Sequence, residues 1–414
     1  MTTLKPIDGY LVNPKKVEQV VSPAYDALTP AQRHVFATTH PENYLNVMRS
    51  REEFPEHERP TLEQLLASNY QRLQSMISDG DFVRQQQLCY FIYRLAVDDH
   101  VQTGLVAEIP IAEYLAGQVK KHEHTQAFKE DDLTAYQRVV RASSSPICLT
   151  YQAREDIDEL LSEMTESAPL IDFVADDGAR QSVWAISEPA SCERLEAAFA
   201  DLPVSYLTDG HHRAASAERF LELEREDNPN HTGDELYNNL LVAFFPSNQL
   251  RILEYNRCVN GTNGHTVSEL LREISDNFDV EALTVTTAAE AAPRSRGEFA
   301  MYFSENWYRL SVRDQHVPSD LVDGLDVSVL QSQLLAPILG IVDPRTDPRM
   351  GYLSGAFNLD QLQSHCRDND EIGFAVFPTS IEDLMAVADA ERVMPPKSTW
   401  FDPKLRSGIF LLLR

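Results

Sequence analysis

The chain has no run of about 18 apolar residues, so it offers no segment for a membrane-spanning helix. Its first residues, MTTLKPIDGYLVNPKK, lack the apolar stretch of a secretion signal, and a cytoplasmic location with no membrane partner is the expectation. Cysteine is scarce and unpatterned. Cys89, Cys148, Cys192, Cys258 and Cys366 are scattered with no C-x-x-C, which argues against a disulfide framework or a zinc ribbon and reads as buried thiols in a reducing compartment. The sequence also lacks G-x-G-x-x-G, G-x-S-x-G and a Walker A loop, leaving dinucleotide, hydrolase-elbow and P-loop readings without support. No repeat of about 20 to 50 residues and no low-complexity linker appears, so the elements are expected to pack intimately. Basic residues are few: 36 Lys and Arg face 64 Asp and Glu, a net charge of −28. That field repels phosphodiester backbones, and nucleic acid is not an expected partner.

What is present is an ordinary globular composition, 43% apolar and 24% charged over 414 residues, enough for two or three domains of about 150 residues each. The turn SPAYDALTP hands over to a helix near Pro30, and Leu62, Leu65, Leu66, Leu73 and Ile77 mark the apolar face of a helix over 62–78. The period then shortens. Leu88 to Val97 and Val101 to Ile109 flank Asp98-Asp99-His100 and read as a hairpin. Helices near 133–142, 157–164 and 192–199 alternate with strands near 146–151, 170–174 and 182–186, after which the strand PVSYLT leads into the helix HRAASAERFLELERE. NNLLVAFFP and RILEYNRCV read as a strand pair. The fold class expected is α/β to α+β, divided into an N-terminal α+β region over 1–118, a core over 119–260 and a C-terminal α+β region over 261–414.

The junction Tyr206-Leu207-Thr208-Asp209-Gly210-His211-His212-Arg213 is the sharpest feature. The first N–H groups of a helix lack intrahelical acceptors and the macrodipole adds partial positive charge, so a phosphate is favoured there. Gly210 permits close approach, Arg213 offers a planar fork for phosphate oxygens, and His211 and His212 can donate hydrogen bonds, shuttle protons or ligate metal. A plain helix start with Asp209 as N-cap accounts for the same residues. The Asp209 carboxylate would repel a phosphate on its own turn. A magnesium ion held by Asp209, or a substrate hydroxyl facing it as general base, removes that conflict.

Two further segments carry candidate chemistry. In Lys120-Lys121-His122-Glu123-His124-Thr125, with Lys129-Glu130-Asp131-Asp132 behind it, the H-E-H lacks the helical spacing of H-E-x-x-H, so a zinc-hydrolase motif is weakly supported. The run reads as solvated charge, or as a catalytic loop in which Glu123 takes a hydroxyl proton and Lys120, Lys121 or Lys129 neutralises phosphate oxygens. In MPPKSTWFDPK, Pro395 and Pro396 stiffen the backbone ahead of Lys397, one of only eight lysines. Lys397 is a candidate second phosphate contact, and a surface turn anchored by Trp400 and Phe401 fits equally well.

Together these segments resemble a prokaryotic family catalogued as domain of unknown function 1015. The matching residues include Ser22-Pro23-x-Tyr25-Asp26, Pro41-x-Asn43-x-Leu45-x-Val47, His122-Glu123-x-Thr125, Ser145-Pro146-Ile147, Asp209-Gly210-His211-His212-Arg213, Asn256-Arg257, Leu325-Asp326-Val327 and Met394 to Thr399. Ala24 stands where a second proline is usual, and Glu254-Tyr255-Asn256-Arg257 where a Pro-Thr-His-Arg-like stretch is common. The Asp-Gly-His-His-Arg turn is similar to the phosphate-binding turn of the ParB/sulfiredoxin-like superfamily, in which free serine kinases carry a related turn. The resemblance implies a ParB/sulfiredoxin-like nucleotide-binding core with additional mixed α/β elements. It implies Gly210, His211, His212 and Arg213 on the nucleotide phosphates, with Asp209 or Glu123 serving the acceptor hydroxyl; Lys397 joins the expected phosphate contacts and His122 the expected catalytic residues from the reading of their own segments. The expected activity is transfer of a phosphoryl group from ATP or ADP, with Mg²⁺, to the hydroxyl of a small polar acceptor, L-serine first. The competing expectations are a metal-assisted hydrolase built from His122, His124, His211 and His212, and a nucleotide-sensing clamp without phosphoryl transfer.

Overall fold

Apolar residues falling on both sides of one extended strand organise the centre of the molecule. In the computed structural model, which describes residues 2–414, strand β1 (Tyr90–Val97) buries Tyr90 and Ile92 on one side and Phe91, Tyr93 and Leu95 on the other. A strand covered on both faces reads as a continuous apolar run, as FIYRLAV nearly does. Strands β2 (His100–Pro110), β3 (Val119–Lys120), β4 (Ile147–Tyr151), β5 (Ile171–Val174), β6 (Arg180–Ile186), β7 (Ser205–Asp209) and β8 (Asn239–Pro246) complete an eight-stranded sheet ordered β3-β7-β4-β8-β2-β1-β6-β5. The pairs β7 with β3 and β8 with β4 are parallel and the others antiparallel, so the protein is mixed α/β, with twelve α-helices among the described residues.

Helix α1 (Leu62–Ser78) opens on a Thr61–Gln64 capping box and buries Leu65, Leu66, Leu73 and Met76, on the span its apolar period marks. Helix α2 (Ala127–Val140) begins six residues before the expected start at Leu133. Its first two turns are largely exposed and polar, so no apolar period announces them. Helix α3 (His211–Asp227) contributes Ala214 and Leu221 to the apolar cluster on one sheet face. Arg141, in the left-handed residue that ends α2, grips Glu224 of α3 through two bonds of 2.9 and 3.0 Å, and Thr134 of α2 donates to the Ser216 carbonyl.

Contacts divide the chain otherwise than at residues 118 and 260. One compact unit comprises 2–250 with 403–414, and the other 251–402; Met1, where the expected N-terminal region begins, lies outside the described residues. The first unit's sheet takes β1 and β2 from before residue 118 and six strands from after it. Its final strand, Phe410–Leu413, pairs with Tyr10–Val12 and with Ala142–Ser143. The second unit holds strands β9 (Tyr255–Asn260), β10 (Phe278–Leu283), β11 (Glu298–Phe303), β12 (Asn306–Val312), β13 (Met350–Ser354) and β14 (Glu371–Val376), ordered β10-β12-β11-β14-β9-β13. Helix α4 (Leu359–Asn369) packs Leu362 and Cys366 beside Cys258 of β9.

The expected pairing of NNLLVAFFP with RILEYNRCV is corrected: β8 lies between β4 and β2, β9 lies between β14 and β13, and Arg251–Leu253 pairs with Trp400–Asp402. Apolar content gives each segment its strand character but says nothing about its partner.

Gly104 sits at the end of the antiparallel β2–β8 pairing, just beyond Leu105, which stands opposite Phe244. A Cβ there would come within 2.3 Å of the Phe244 carbonyl oxygen and 2.6 Å of the Phe245 ring. Gly104→Ala is therefore expected to cost about 2–3 kcal/mol, read as a lower urea midpoint for the first unit; an unchanged midpoint would show that the two strands can part freely.

Candidate functional site

The strand that delivers the Asp-Gly turn does not run straight into it. Leu207 pairs with Leu149 and Asp209 with Cys148, leaving Thr208 as an extra residue whose hydroxyl donates to the Cys148 carbonyl at 3.0 Å. Such a bulge bends the strand and re-aims the side chain that follows. Gly210 then adopts φ +102°, and a Cβ there would approach the Arg213 guanidinium to 2.9 Å. Both the backbone and the packing thus call for glycine.

Gly210, not Asp209, occupies the N-cap position, and no side chain caps the helix, which corrects the plain-cap alternative. Asp209 instead receives Lys404 Nζ at 2.9 Å on one oxygen and an Arg213 guanidinium nitrogen at 2.5 Å on the other. The second arm of Arg213 donates to the Pro146 carbonyl at 3.0 Å. Burial alone would raise the Asp209 carboxyl, but the Lys404 ammonium and the Arg213 guanidinium outweigh it and hold the group well below the usual carboxylate range. Asp209 is consequently a poor proton acceptor. The Arg213 fork serves the turn. Lys404 was not among the expected residues, although the scarcity of lysine that singled out Lys397 points to Lys404 as well.

The polar run, with Glu123 lying 88 residues before His211, comes to this turn. The His122 and His211 rings meet edge to face with centroids 4.5 Å apart, and Glu123 Oε2 lies 3.8 Å from His211 Nδ1. Ligand atoms of His122, Glu123 and His211 all lie within 4.8 Å of one another. His122 is 2% exposed and His211 5%. His122 has no well-formed hydrogen bond on either ring nitrogen, only a loose approach from the Leu207 backbone, and His211 has none on Nε2. Burial pulls the His122 imidazole down to about 4 and His211 well below its ordinary value, the latter aided by His122, so both are neutral at pH 7. Buried polar atoms without partners are uncommon, and two neutral imidazoles side by side make a donor-rich floor for a ligand.

His212 turns elsewhere, its Nε2 accepting the Gln126 backbone N–H at 3.1 Å, a bond that ties the polar loop and the start of α2 to the turn. Beside His211 opens a polar pocket of about 360 Å³, with His124 on its wall. Four carboxylates, Glu123, Glu130, Glu218 and Glu222, face two side-chain cations, Lys121 and Arg219. Lys121 lies over the Tyr114 ring at 4.1 Å, and Arg219 pairs with Asp131 at 2.6 Å. Of the expected hydrolase quartet, His122 and His211 share a floor, His124 lines the pocket and His212 is engaged at Gln126. Lys397 belongs to the second unit, at φ +59°, with its Nζ 5.1 Å from the Tyr255 ring centroid and its carbonyl accepting from Arg257. Lys121 was among the lysines expected to meet phosphate oxygens, whereas Glu218, Arg219 and Glu222 of α3 were not singled out for the pocket. Their spacing of three and four along the helix gives them one face, but a charged face is ordinarily a solvated one.

Two imidazoles and a carboxylate suit zinc or another first-row transition ion, whereas magnesium, which prefers oxygen, would draw on Glu123 and on the oxygens of a bound phosphate.

These features describe a mixed α/β protein whose polar pocket backs onto two buried histidines. The family model described as "Protein of unknown function (DUF1015)" matches residues 4–328, and the chain belongs to that family. No curated protein matches it. Among solved structures it is similar to a free serine kinase in complex with AMP, at 10% identity and a TM-score of 0.36 over 73% of this chain and 91% of that one. A conserved hypothetical protein from Pyrococcus furiosus gives 11% and 0.35 over 74% and 94%, and a C-terminally truncated SbnI from Staphylococcus aureus gives 11% and 0.37 over 72% and 82%.

The depressed basicity of His122 has a consequence for stability. The unfolded side chain, near 6.5, takes up a proton that the folded one refuses until about 4, so stability is lost as pH falls through that window. Between pH 7.5 and 5 the share due to His122 is about 2 kcal/mol. Urea unfolding at the two pH values checks this: His122→Gln is expected to lose about 2 kcal/mol less than the parent chain.

Proposed function

We propose that the first unit is a ParB/sulfiredoxin-like nucleotide-binding core acting as a small-molecule kinase. In this reading it moves a phosphoryl group from ATP or ADP to the hydroxyl of a small polar acceptor. The observation that carries the reading is the convergence of Glu123 and the uncapped N-terminus of α3 on one pocket, from segments 88 residues apart in sequence. Phosphoryl transfer asks mainly for positioning and charge neutralisation, with one group to take the acceptor's proton.

Between the two candidate bases, Asp209 is neutralised by Lys404 and Arg213, while Glu123 lines the pocket itself, 3.8 Å from His211 Nδ1. Glu123 therefore takes the hydroxyl proton. The backbone N–H groups of His211 to Arg213 and the Lys121 ammonium hold phosphate oxygens, and Asp209 with Lys404 fixes the turn that presents them. Four carboxylates against two cations would repel a bare polyphosphate, so the charge balance favours a nucleotide carrying Mg²⁺, with Glu123 as a protein ligand within reach. That ion supplies neutralisation of the charge that builds on the transferred group. The same surplus of carboxylate accommodates the ammonium group of an amino acid. L-Serine, the acceptor implied by the resemblance of the Asp209 to Arg213 turn, combines that ammonium with a primary hydroxyl.

The mutual approach of the His122, Glu123 and His211 ligand atoms within 4.8 Å favours a second reading, metal-assisted hydrolysis. One set of assays separates them. With ATP or ADP, Mg²⁺ and L-serine, the kinase reading expects phosphoserine, with Glu123→Gln lowering turnover about 100- to 10,000-fold, far more than it weakens binding of the Mg²⁺-nucleotide. Nucleotide binding without turnover of any hydroxyl acceptor would leave a sensing clamp. Failure to bind nucleotide, with a transition ion retained and chelation abolishing hydrolysis, would replace the kinase with the hydrolase.

A further inference from the structure

The second unit contains a separate set of ligating atoms. Cys258 on β9 stands opposite Gly373 of β14 in the antiparallel register, and Glu371, two residues before that glycine, shares its sheet face. Helix α4 packs over this face, ends at Asp370 in the left-handed conformation and turns directly back into β14. The reversal brings His365, near the end of the helix, over Glu371: His365 Nε2 and Glu371 Oε2 are 3.2 Å apart. That oxygen is buried and has no hydrogen-bond partner despite the approach. The Sγ of Cys258, the His365 nitrogen and the Glu371 oxygen lie within 4.8 Å of one another.

The arrangement has the marks of a first-row metal site. One thiol, one imidazole and one carboxylate from three different elements converge on one point, with a donor set that suits zinc far better than magnesium or calcium. Two ligands on one tetrahedral ion, with bonds of about 2.0–2.1 Å to nitrogen and oxygen, sit about 3.3 Å apart, close to the separation of the imidazole and carboxylate here. Cys366, the residue after His365, places its Sγ 3.7 Å from that of Cys258, against about 3.8 Å for two thiolates sharing one zinc, and so provides a second sulfur beside the site. Cys258 is 1% exposed and Cys366 0%, so the sulfur side is closed to water, while the half-exposed His365 gives an ion its way in.

We propose that Cys258, His365 and Glu371 form a binding site for a thiophilic divalent metal, of the zinc class, independent of the pocket in the first unit. Binding replaces the thiol proton of Cys258 by a metal–sulfur bond and releases that proton to solvent; no oxidant or reductant takes part. The metal ties α4 to two strands of its sheet.

The test uses the full chain, stripped of metal and kept reduced with a phosphine, and titrated with Co²⁺ as the probe. The expected result is one equivalent bound with a near-ultraviolet thiolate-to-cobalt band and visible bands of tetrahedral intensity. Cys258→Ser is expected to abolish the ultraviolet band, and His365→Ala, a change at a half-exposed side chain that leaves the fold intact, to remove the tetrahedral bands at stoichiometric cobalt. His122→Gln in the first unit is expected to leave the thiolate band unchanged, since no cysteine belongs to that cluster. Absence of a thiolate band in the parent chain, or its persistence at full strength in both Cys258→Ser and His365→Ala, overturns the proposal.

Discussion

Everything at the pocket rests on one half-buried carboxylate being shared by two cations. Asp209 arrives at the end of a bulged strand, at a turn that only glycine can make, and the charge it brings is answered by Lys404 and Arg213. Removing either cation would leave a half-buried carboxylate with a single partner, at a cost that is a sizeable fraction of the net stability of a domain. The reward is geometric. With Asp209 pinned from both sides, the start of α3 is held at a fixed angle to β7, and His211 is pressed against His122. A residue that looks catalytic by type acts here through position.

Charge separates the interior of the site from its rim. The floor is made of two neutral imidazoles, and the wall is dominated by carboxylates. An overall charge of −28 sharpens this contrast, because anions approaching at low salt meet repulsion before they meet the helix end. Neutralised or zwitterionic ligands meet less of that repulsion, which sets a filter before any shape recognition begins.

Much of the local structure was legible because it follows from periodicity. The helix over 62–78, the hairpin at Asp98 to His100 and the strand-turn-helix at Asp209 to Arg213 each bear a pattern that short-range physics can decode. The site was half legible. Glu123, His122 and His211 were named from residue type, yet nothing in a linear reading brings residue 122 to residue 211, since that meeting depends on the parallel pairing of β3 with β7. Lys404 was hidden for the same reason, and the first turns of α2 were hidden because an exposed helix start has no apolar stripe to betray it. The N-cap assignment to Asp209 failed on competition: an aspartate flanked by two cations gains more from them than from the helix amides.

The return of residues 403–414 to the first unit has a consequence for biogenesis. The intervening stretch from 251 to 402 is, in chain order, an excursion from a body still waiting for its last strand and for the partner of Asp209. On a ribosome, the early segment would emerge with Asp209 answered by Arg213 alone, and the intervening segment has time to collapse on its own before residues 403–414 arrive. The clamp on Asp209 is thereby completed only once residues 403–414 have emerged, and a chain interrupted before them carries the two histidines and the glutamate with half of that clamp.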